Sequence, residues 1–251
     1  MPVNKKTKKT AQRPTAVAVG ISSRPGTEPP CADGAWVHRR DERVTAAVVD
    51  GAGHHPDVVA FARIAPQVAA LTGMADGGLP ALMNAGRMAQ AYDRPPHMSA
   101  VYADMEPGRD TGIHWIGDAR AYGWDGKKLK QWTRDQTMGE WLRWNGGKTI
   151  KIVPRKAVES QDNWARLGVA QASEYTCRHV QIPEEIRLVL LVTDGISDQV
   201  PLSTAEGLCR AHADDPQALA DALTAAAEGE TDEKTGEHYR DDATTVVLRL
   251  G

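Results

Sequence analysis

Ala46-Ala47-Val48-Val49-Asp50-Gly51-Ala52-Gly53 is an apolar run closed by a carboxylate and glycine. Far down the chain, Leu188-Val189-Leu190-Leu191-Val192-Thr193-Asp194-Gly195 repeats the pattern. Each reads as a buried β-strand that ends abruptly at the rim of a sheet. Glycine after the acid lets the backbone turn tightly enough to offer its own carbonyl. Asp241-Asp242 opens a third strand, Ala243-Thr244-Thr245-Val246-Val247-Leu248. A single Asp-Gly after a strand is an ordinary turn. Three acidic strand ends, remote in sequence, point together to one oxygen-lined site for hard divalent cations.

Bulk properties narrow the class. The 251 residues are 41% hydrophobic, enough for a real core in one large domain or two small ones. A net charge of -3 gives no general attraction to nucleic acid or an anionic membrane. Cys31, Cys177 and Cys209 are odd in number and lack metal-ligand spacing, which fits a reducing compartment better than a disulfide framework. No apolar run approaches the roughly 20 residues of a bilayer span. Lysines at the N-terminus are not followed by an apolar segment, so no secretory signal is read there. A soluble cytoplasmic protein is expected. Residues 1–14, with Lys5, Lys6, Lys8, Lys9 and Arg13, read as a flexible basic tail ahead of a domain over 15–251.

Periodicity supplies the elements. Strands are expected at Ala16–Val19, Ala35–Val37 and 43–49, with a loop from Arg24 to Pro30. Pro56 and Asp57 suit the first turn of a helix whose apolar positions are Phe61, Ile64, Val68 and Leu71, with Pro66 kinking or shortening it. A second helix covers Leu79–Tyr92. Four strands follow at Ser99–Ala103, Gly112–Ile116, Ala119–Trp124 and Lys128–Trp132, the last two joined by the turn signal Asp125-Gly126. A helix is expected over 135–144, no clear periodicity over 145–170, and strands near 174–181 and 187–193. Helices over 203–212 and 216–228, a polar connection over 229–240 and a strand at 243–250 complete the chain. Strand runs alternating with paired helices argue for an α+β layered domain.

Mg²⁺ and Mn²⁺ take carboxylate, carbonyl and water ligands. A carboxylate shared by two such ions holds them about 3.5–4 Å apart, with a bridging water acidic enough to attack phosphorus. Asp50, Gly51, Asp194 and Asp241 supply that inventory if the strand ends converge.

The ordered motifs resemble the metal-dependent protein phosphatases of the 2C type in their bacterial form. They are Ala32-Asp33, Val48-Val49-Asp50-Gly51-Ala52-Gly53-His54-His55, Ile116-Gly117-Asp118-Ala119-Arg120-Ala121-Tyr122, Leu167-Gly168, Thr193-Asp194-Gly195-Ile196-Ser197-Asp198 and Arg240-Asp241-Asp242-Ala243-Thr244. Single motifs are modestly specific, while their order and spacing cover Thr15 to Leu250. The resemblance implies a four-layer α-β-β-α sandwich: two antiparallel sheets flanked by helix pairs, with two Mg²⁺ or Mn²⁺ ions at one end. It also implies hydrolysis of phosphoserine and phosphothreonine in proteins by a metal-activated water, with no catalytic side chain. By position, Asp50 resembles the carboxylate bridging both ions, with the Gly51 carbonyl on one of them and Asp33 a ligand of that same ion through water. Asp194 and Asp241 resemble ligands of the other. Asp118 and Asp198 match acidic positions that help bind a weaker third ion in bacterial members, and 145–170 matches a mobile flap. A monomer acting on a phosphorylated protein, without nucleic acid or membrane, is expected.

Departures motivate a rival. Relatives carry a phosphate-gripping Arg about five residues before the first acidic ligand. Here Glu28 holds that spacing and Arg24 is the nearest arginine upstream, the candidate for phosphate binding. Cys31-Ala32 replaces the usual residues before Asp33, Ala52 stands where animal members have His, His54 replaces a glycine, and Asp242 replaces a frequent Asn. A pseudophosphatase that keeps the fold and binds a phosphoprotein or partner without turnover is the alternative. A domain whose metals only hold the sheets together is a further one.

Other features have plain readings. His54-His55 are adjacent and do not read as ligands of one ion. Ser22, Ser23 and Ser197 lack a His-Asp arrangement. Arg120 is expected to pair with a carboxylate, and Asp214-Asp215 to cap the following helix. Trp132, Trp141 and Trp144, of seven tryptophans beside one phenylalanine, are expected to pack a helix, since no basic patch is read around them.

Overall fold

Val44 to Val49 are six consecutive buried residues of strand β3 (Arg43–Gly51), a run that requires a sheet covered on both faces. The computed structural model describes residues 16–146, 155–232 and 235–251, so the expected tail at 1–14 lies outside the described residues. One five-stranded sheet runs in the order β2 (Gly34–Arg40), β3, β4 (Met98–Met105), β5 (Thr111–Ile116) and β8 (Arg178–Ile182). The other runs β1 (Val17–Arg24), β12 (Ala243–Leu250), β9 (Leu188–Val192), β6 (Arg120–Trp124) and β7 (Leu129–Gln131). All their neighbouring pairs are antiparallel.

Side chains such as Val48, Val101, Leu191 and Val246 fill the space between the sheets. Helices α2 (Ala65–Asp76) and α3 (Gly78–Ala89) cover the first sheet around Leu82 and Tyr102. Helices α7 (Leu202–His212) and α8 (Pro216–Ala226) cover the second around Leu190, Leu219 and Leu223. Each such fully buried aliphatic side chain contributes about 1.5–3 kcal/mol. The expected four-layer α-β-β-α sandwich is the architecture found.

Several boundaries differ for physical reasons. The helix expected from Pro56 is two: α1 (Pro56–Ala62) and α2, separated at Arg63 and Ile64, with Pro66 in the first turn of α2. The break rotates the buried stripe onto Ala65, Ala69, Ala70 and Met74, leaving Ile64 and Leu71 exposed. Pro56–Asp76 does have the length and apolarity of a bilayer span, contrary to the sequence reading, but more than half of it is buried.

Strand β1 runs on to Arg24 because Ser22 and Ser23 pair with Thr245 and Thr244 of β12. Strand β8 starts only at Arg178, after turns over Ser173–Cys177. Within the segment read as aperiodic stand the end of α4 (Met138–Gly146), helix α5 (Arg155–Glu159) and a short 3-10 turn at Val169–Gln171. The polar connection near the end contains a minimal hairpin, β10 (Glu230–Thr231) with β11 (His238–Tyr239). Asp125-Gly126 makes the expected turn: the Asp125 carboxylate accepts from the backbone N–H groups of Lys127 and Lys128, both at 2.7 Å. Trp141 and Trp144 do not pack as expected and stand 43% and 66% exposed.

Candidate metal centre

The two sheets end side by side, and that edge gathers the acidic strand ends. From the first sheet come Asp33 just before β2, Asp50 in β3, and Asp118 in the turn between β5 and β6. From the second come Asp194, which opens the short helix α6 (Asp194–Ser197) after β9, and Asp241 ahead of β12. The backbone N–H of Asp194 donates to Asp50 Oδ2 at 3.4 Å, joining the two Asp-Gly motifs across the sheets. Thr193 Oγ1 donates to Asp33 Oδ2 at 2.8 Å and accepts from the N–H of Thr244 at 3.0 Å. Ser99 lies opposite Asp50 in the β3–β4 ladder, and its hydroxyl donates to Asp118. Ladder register therefore sets the spacing of these carboxylates.

Glycine follows both acids for a reason the sequence reading did not supply. Neither Gly51 nor Gly195 has a positive φ. A Cβ on Gly51 would lie 2.5 Å from the Ala32 carbonyl oxygen, and one on Gly195 would lie 1.8 Å from that of Asp242. Close approach of neighbouring backbone, not turn geometry, demands glycine here.

Burial is the leading cause that raises the pKa of every acid in the group, with mutual repulsion added. Asp50 is pushed well up by burial, then by the charges of Asp33 and Asp118. Asp194 is pushed well up by burial, Asp50 and Asp241. Burial also raises Asp33 well above the usual range, opposed by the Thr193 hydrogen bond. Burial raises Asp118 against its Ser99 bond, and Asp241 against its bond to the Asp242 N–H. Burial and mutual repulsion both oppose ionising these carboxylates together, which a bound cation would relieve, and their hard oxygen donors fit Mg²⁺ or Mn²⁺. Among the described residues, no three His, Cys, Asp or Glu side chains close on one point as a finished cation cage does. Several instead face local donors: Asp33 to Thr193, Asp118 to Ser99, and Asp198 to Arg120 at 2.8 Å.

Arg120 also grips Asp135 through Nε and Nη2, the latter at 2.7 Å. Burial works against its charge, but the Asp135 hydrogen bonds and charge overcome that and raise its pKa. The expected pairing of Arg120 is thus found twice over. Arg24 sits elsewhere than a phosphate grip requires: its guanidinium donates to the carbonyl of Ala227 at the end of α8. Glu28, in the family's arginine position, faces His54 Nδ1 at 3.5 Å.

Sequence reading noted Asp242 in place of a frequent Asn but gave it no role. Its carboxylate is buried and accepts the backbone N–H groups of Gly26 and Ala32, both at 2.6 Å, tying the 25–32 loop to the start of β12. His54 Nε2 lies 3.4 Å from the same carboxylate. The Asp-Asp pair was the available signal, since a second acid beside a ligand needs donors of its own. His55 turns the other way, and its Nδ1 accepts the N–H of Asp57 as the cap of α1. Asp215 caps α8 as expected, accepting the N–H of Ala218 at 3.0 Å.

The sequence model of the stage II sporulation protein E (SpoIIE) family matches residues 143–251, the part that carries Asp194, Asp198 and Asp241. No curated protein is matched by the sequence. Solved structures match over nearly the whole chain. The Mycobacterium tuberculosis serine/threonine phosphatase PstP/Ppp is 21% identical, with a TM-score of 0.68 over 93% of this chain and 98% of its own. The Staphylococcus aureus serine/threonine phosphatase Stp1 is 14% identical, with a TM-score of 0.71 over 98% and 99%. The S. agalactiae serine/threonine phosphatase is 14% identical, with a TM-score of 0.71 over 94% of this chain and 100% of its own. The resemblance read from the motifs holds in three dimensions: this chain has the fold of the bacterial 2C-type serine/threonine phosphatases, and its C-terminal part matches the SpoIIE family.

Proposed function

We propose that the protein is a metal-dependent phosphatase that hydrolyses phosphoserine and phosphothreonine in proteins. Asp33, Asp50, the Gly51 carbonyl, Asp194 and Asp241 would hold two Mg²⁺ or Mn²⁺ ions, with Asp118 and Asp198 available to a third. The observation that carries this reading is the 3.4 Å contact between the Asp194 N–H and Asp50, which puts two remote Asp-Gly strand ends in one acidic group. When bound, the ions supply the charge that offsets the carboxylates, a grip on phosphate oxygens, and a water acidic enough to attack phosphorus.

The chain's own residues supply the framework. Thr193 orients Asp33, Ser99 orients Asp118, and Arg120 holds Asp198. Asp242 fixes the loop that leads into Asp33. Ser197 donates to Asp198 at 3.4 Å and Ser99 donates to Asp118, and among the described residues neither hydroxyl has a histidine bonded to it as base, which supports water as nucleophile.

Binding without turnover, the second reading, is favoured by Arg24 bonding Ala227 and Glu28 facing His54 where relatives grip phosphate. One experiment decides between them: manganese titration of p-nitrophenyl phosphate and phosphothreonine-peptide hydrolysis. Saturable, metal-dependent turnover that Asp194→Asn abolishes supports the enzyme. Metal binding by calorimetry with no turnover of either substrate establishes the pseudophosphatase.

A further inference from the structure

A groove of about 650 Å³ opens between α4, the last residues of β5 and the first of β8. Trp115 forms its floor, buried and fixed by donating its indole N–H to the Arg134 carbonyl at 2.8 Å. Trp141, Trp144 and Tyr175 rise along the walls, with Tyr175 79% exposed. The Arg134 guanidinium lies over the Trp144 ring, 4.2 Å from its centre. Aromatic side chains present a large apolar area at little entropic cost, and clusters of them beside arginine mark binding surfaces.

Charge narrows the occupant. The two carboxylates in the wall are already engaged, Asp135 by Arg120 and Glu140 by Arg134 and Arg143. Arg166 and Arg178 line the same groove, both exposed. Among the described residues, neither guanidinium has a hydrogen bond or ion pair. Two unpaired planar cations facing exposed rings suit carboxylates carried on an extended chain. A nucleic-acid strand, with a phosphate at every step, would meet only these two unpaired guanidiniums among the described groove residues, on a chain of net charge -3.

Position supplies the link to the acidic end. Arg134, Asp135, Thr137 and Glu140 also wall a smaller cavity, of about 320 Å³, that reaches Arg120 and Asp198. The groove and the candidate centre therefore share one ridge.

We propose that this groove binds the polypeptide flanking the phosphorylated residue and selects acidic segments, with Arg166 and Arg178 taking Asp or Glu side chains and Trp141, Trp144 and Tyr175 packing an apolar one. The inference rests on the phosphatase reading for the identity of the bound segment, and its test reads binding separately from turnover. Fluorescence anisotropy compares a labelled phosphothreonine peptide bearing Glu and Leu with a counterpart in which Lys replaces Glu.

The acidic peptide is expected to bind at least about tenfold more tightly. The double variant Arg166→Ala/Arg178→Ala is expected to weaken it about tenfold, what two modest exposed pairings amount to together. Arg166→Lys/Arg178→Lys should recover part of that loss, and Trp141→Ala should weaken both peptides. Equal affinity for the two peptides, or an unchanged Kd in the Ala double variant, overturns the proposal. So does an oligothymidylate that binds more tightly and displaces the peptide. Metal-dependent hydrolysis of p-nitrophenyl phosphate by the unaltered protein reports on the parent reading alone. Acidic selectivity without that turnover leaves the groove standing and fails the phosphatase.

Discussion

The acidic end and the aromatic groove share a ridge but are built in opposite ways. Asp33, Asp50, Asp118, Asp194 and Asp241 each lie within two residues of a strand end, where ladder register and backbone contacts at Gly51 and Gly195 fix their places. Above its floor at Trp115 of β5, the groove is built from the nine-residue helix α4, loop residues and the exposed start of β8. Sites on rigid elements hold geometry closely enough for chemistry, whereas loops and short helices tolerate variation and suit recognition. One region concentrates half-buried and buried carboxylates, and the other exposes apolar area beside cations. Substitutions should therefore act on turnover and fold in the first and on affinity in the second.

Asp50→Asn is the strongest way to break the contrast. It removes the charge that the reading places between two ions, and activity should fall on the order of 10³-fold or more, at least 4 kcal/mol of barrier. The same change relieves repulsion from Asp33 and Asp118. Its metal-free form should therefore melt higher than the unaltered protein and lose the thermal response to MnCl₂. Retained turnover, or a lower melting point without metal, would contradict the assignment.

Gly195→Ala tests the backbone side of the acidic end. Its Cβ would lie 1.8 Å from the Asp242 carbonyl oxygen, so α6 or the start of β12 must shift. A cost of about 3 kcal/mol is expected, as for overpacking in a core, or roughly 6–12 °C in Tm. Gly207→Ala, with open space around its Cβ on helix α7, should be neutral or slightly stabilising in the same melt.

Protonation gives a smaller effect of definite sign. Asp33, Asp50 and Asp194 have folded-state pKa values well above 3.8, so the folded chain binds more protons than the unfolded one above that pH. Stability without metal should then decline as pH rises from about 4 through the folded values, since the slope follows the excess of protons bound by the native state. In EDTA, Tm should be several degrees lower at pH 8 than at pH 5, and saturating MnCl₂ at pH 8 should reverse the loss. A profile that stays flat in EDTA would mean that the acids are already compensated within the protein.

Much of the acidic end was legible because buried strands carry long apolar runs, and an Asp-Gly at the close of one breaks the pattern visibly. Asp50 and Asp194 stand out in this way, Asp241 as an acid just ahead of such a run, and the structure gathers them with Asp33 and Asp118. Asp242 was less legible, since a carboxylate that clamps a loop looks the same in sequence as a ligand. The groove was misread because tryptophan at helical spacing signals packing in most helices. Only the fold reveals that Trp141 and Trp144 face away from the core and that Arg134, Arg166 and Arg178 stand beside them. The split of the helix at Ile64 was half legible through Pro66, but which face turns inward depends on the sheet beneath it.

Arg24 sharpens the comparison at its smallest scale. The family resemblance made it, as the nearest arginine upstream of Glu28, the candidate for gripping phosphate, yet its guanidinium donates to the Ala227 carbonyl at the end of α8. A cation there meets the helix's unsatisfied carbonyls and the negative end of its dipole. Burial, then the charge of Arg240, lowers its pKa, with Glu228 acting in the opposite direction. Arg24→Ala should therefore cost only about 0.5–1 kcal/mol, roughly 1–4 °C in Tm, by fraying the last turn of α8. The KM for p-nitrophenyl phosphate should stay within twofold of the unaltered protein's. A KM raised tenfold with an unchanged melt would return Arg24 to the phosphate, requiring its side chain to leave α8 when substrate arrives.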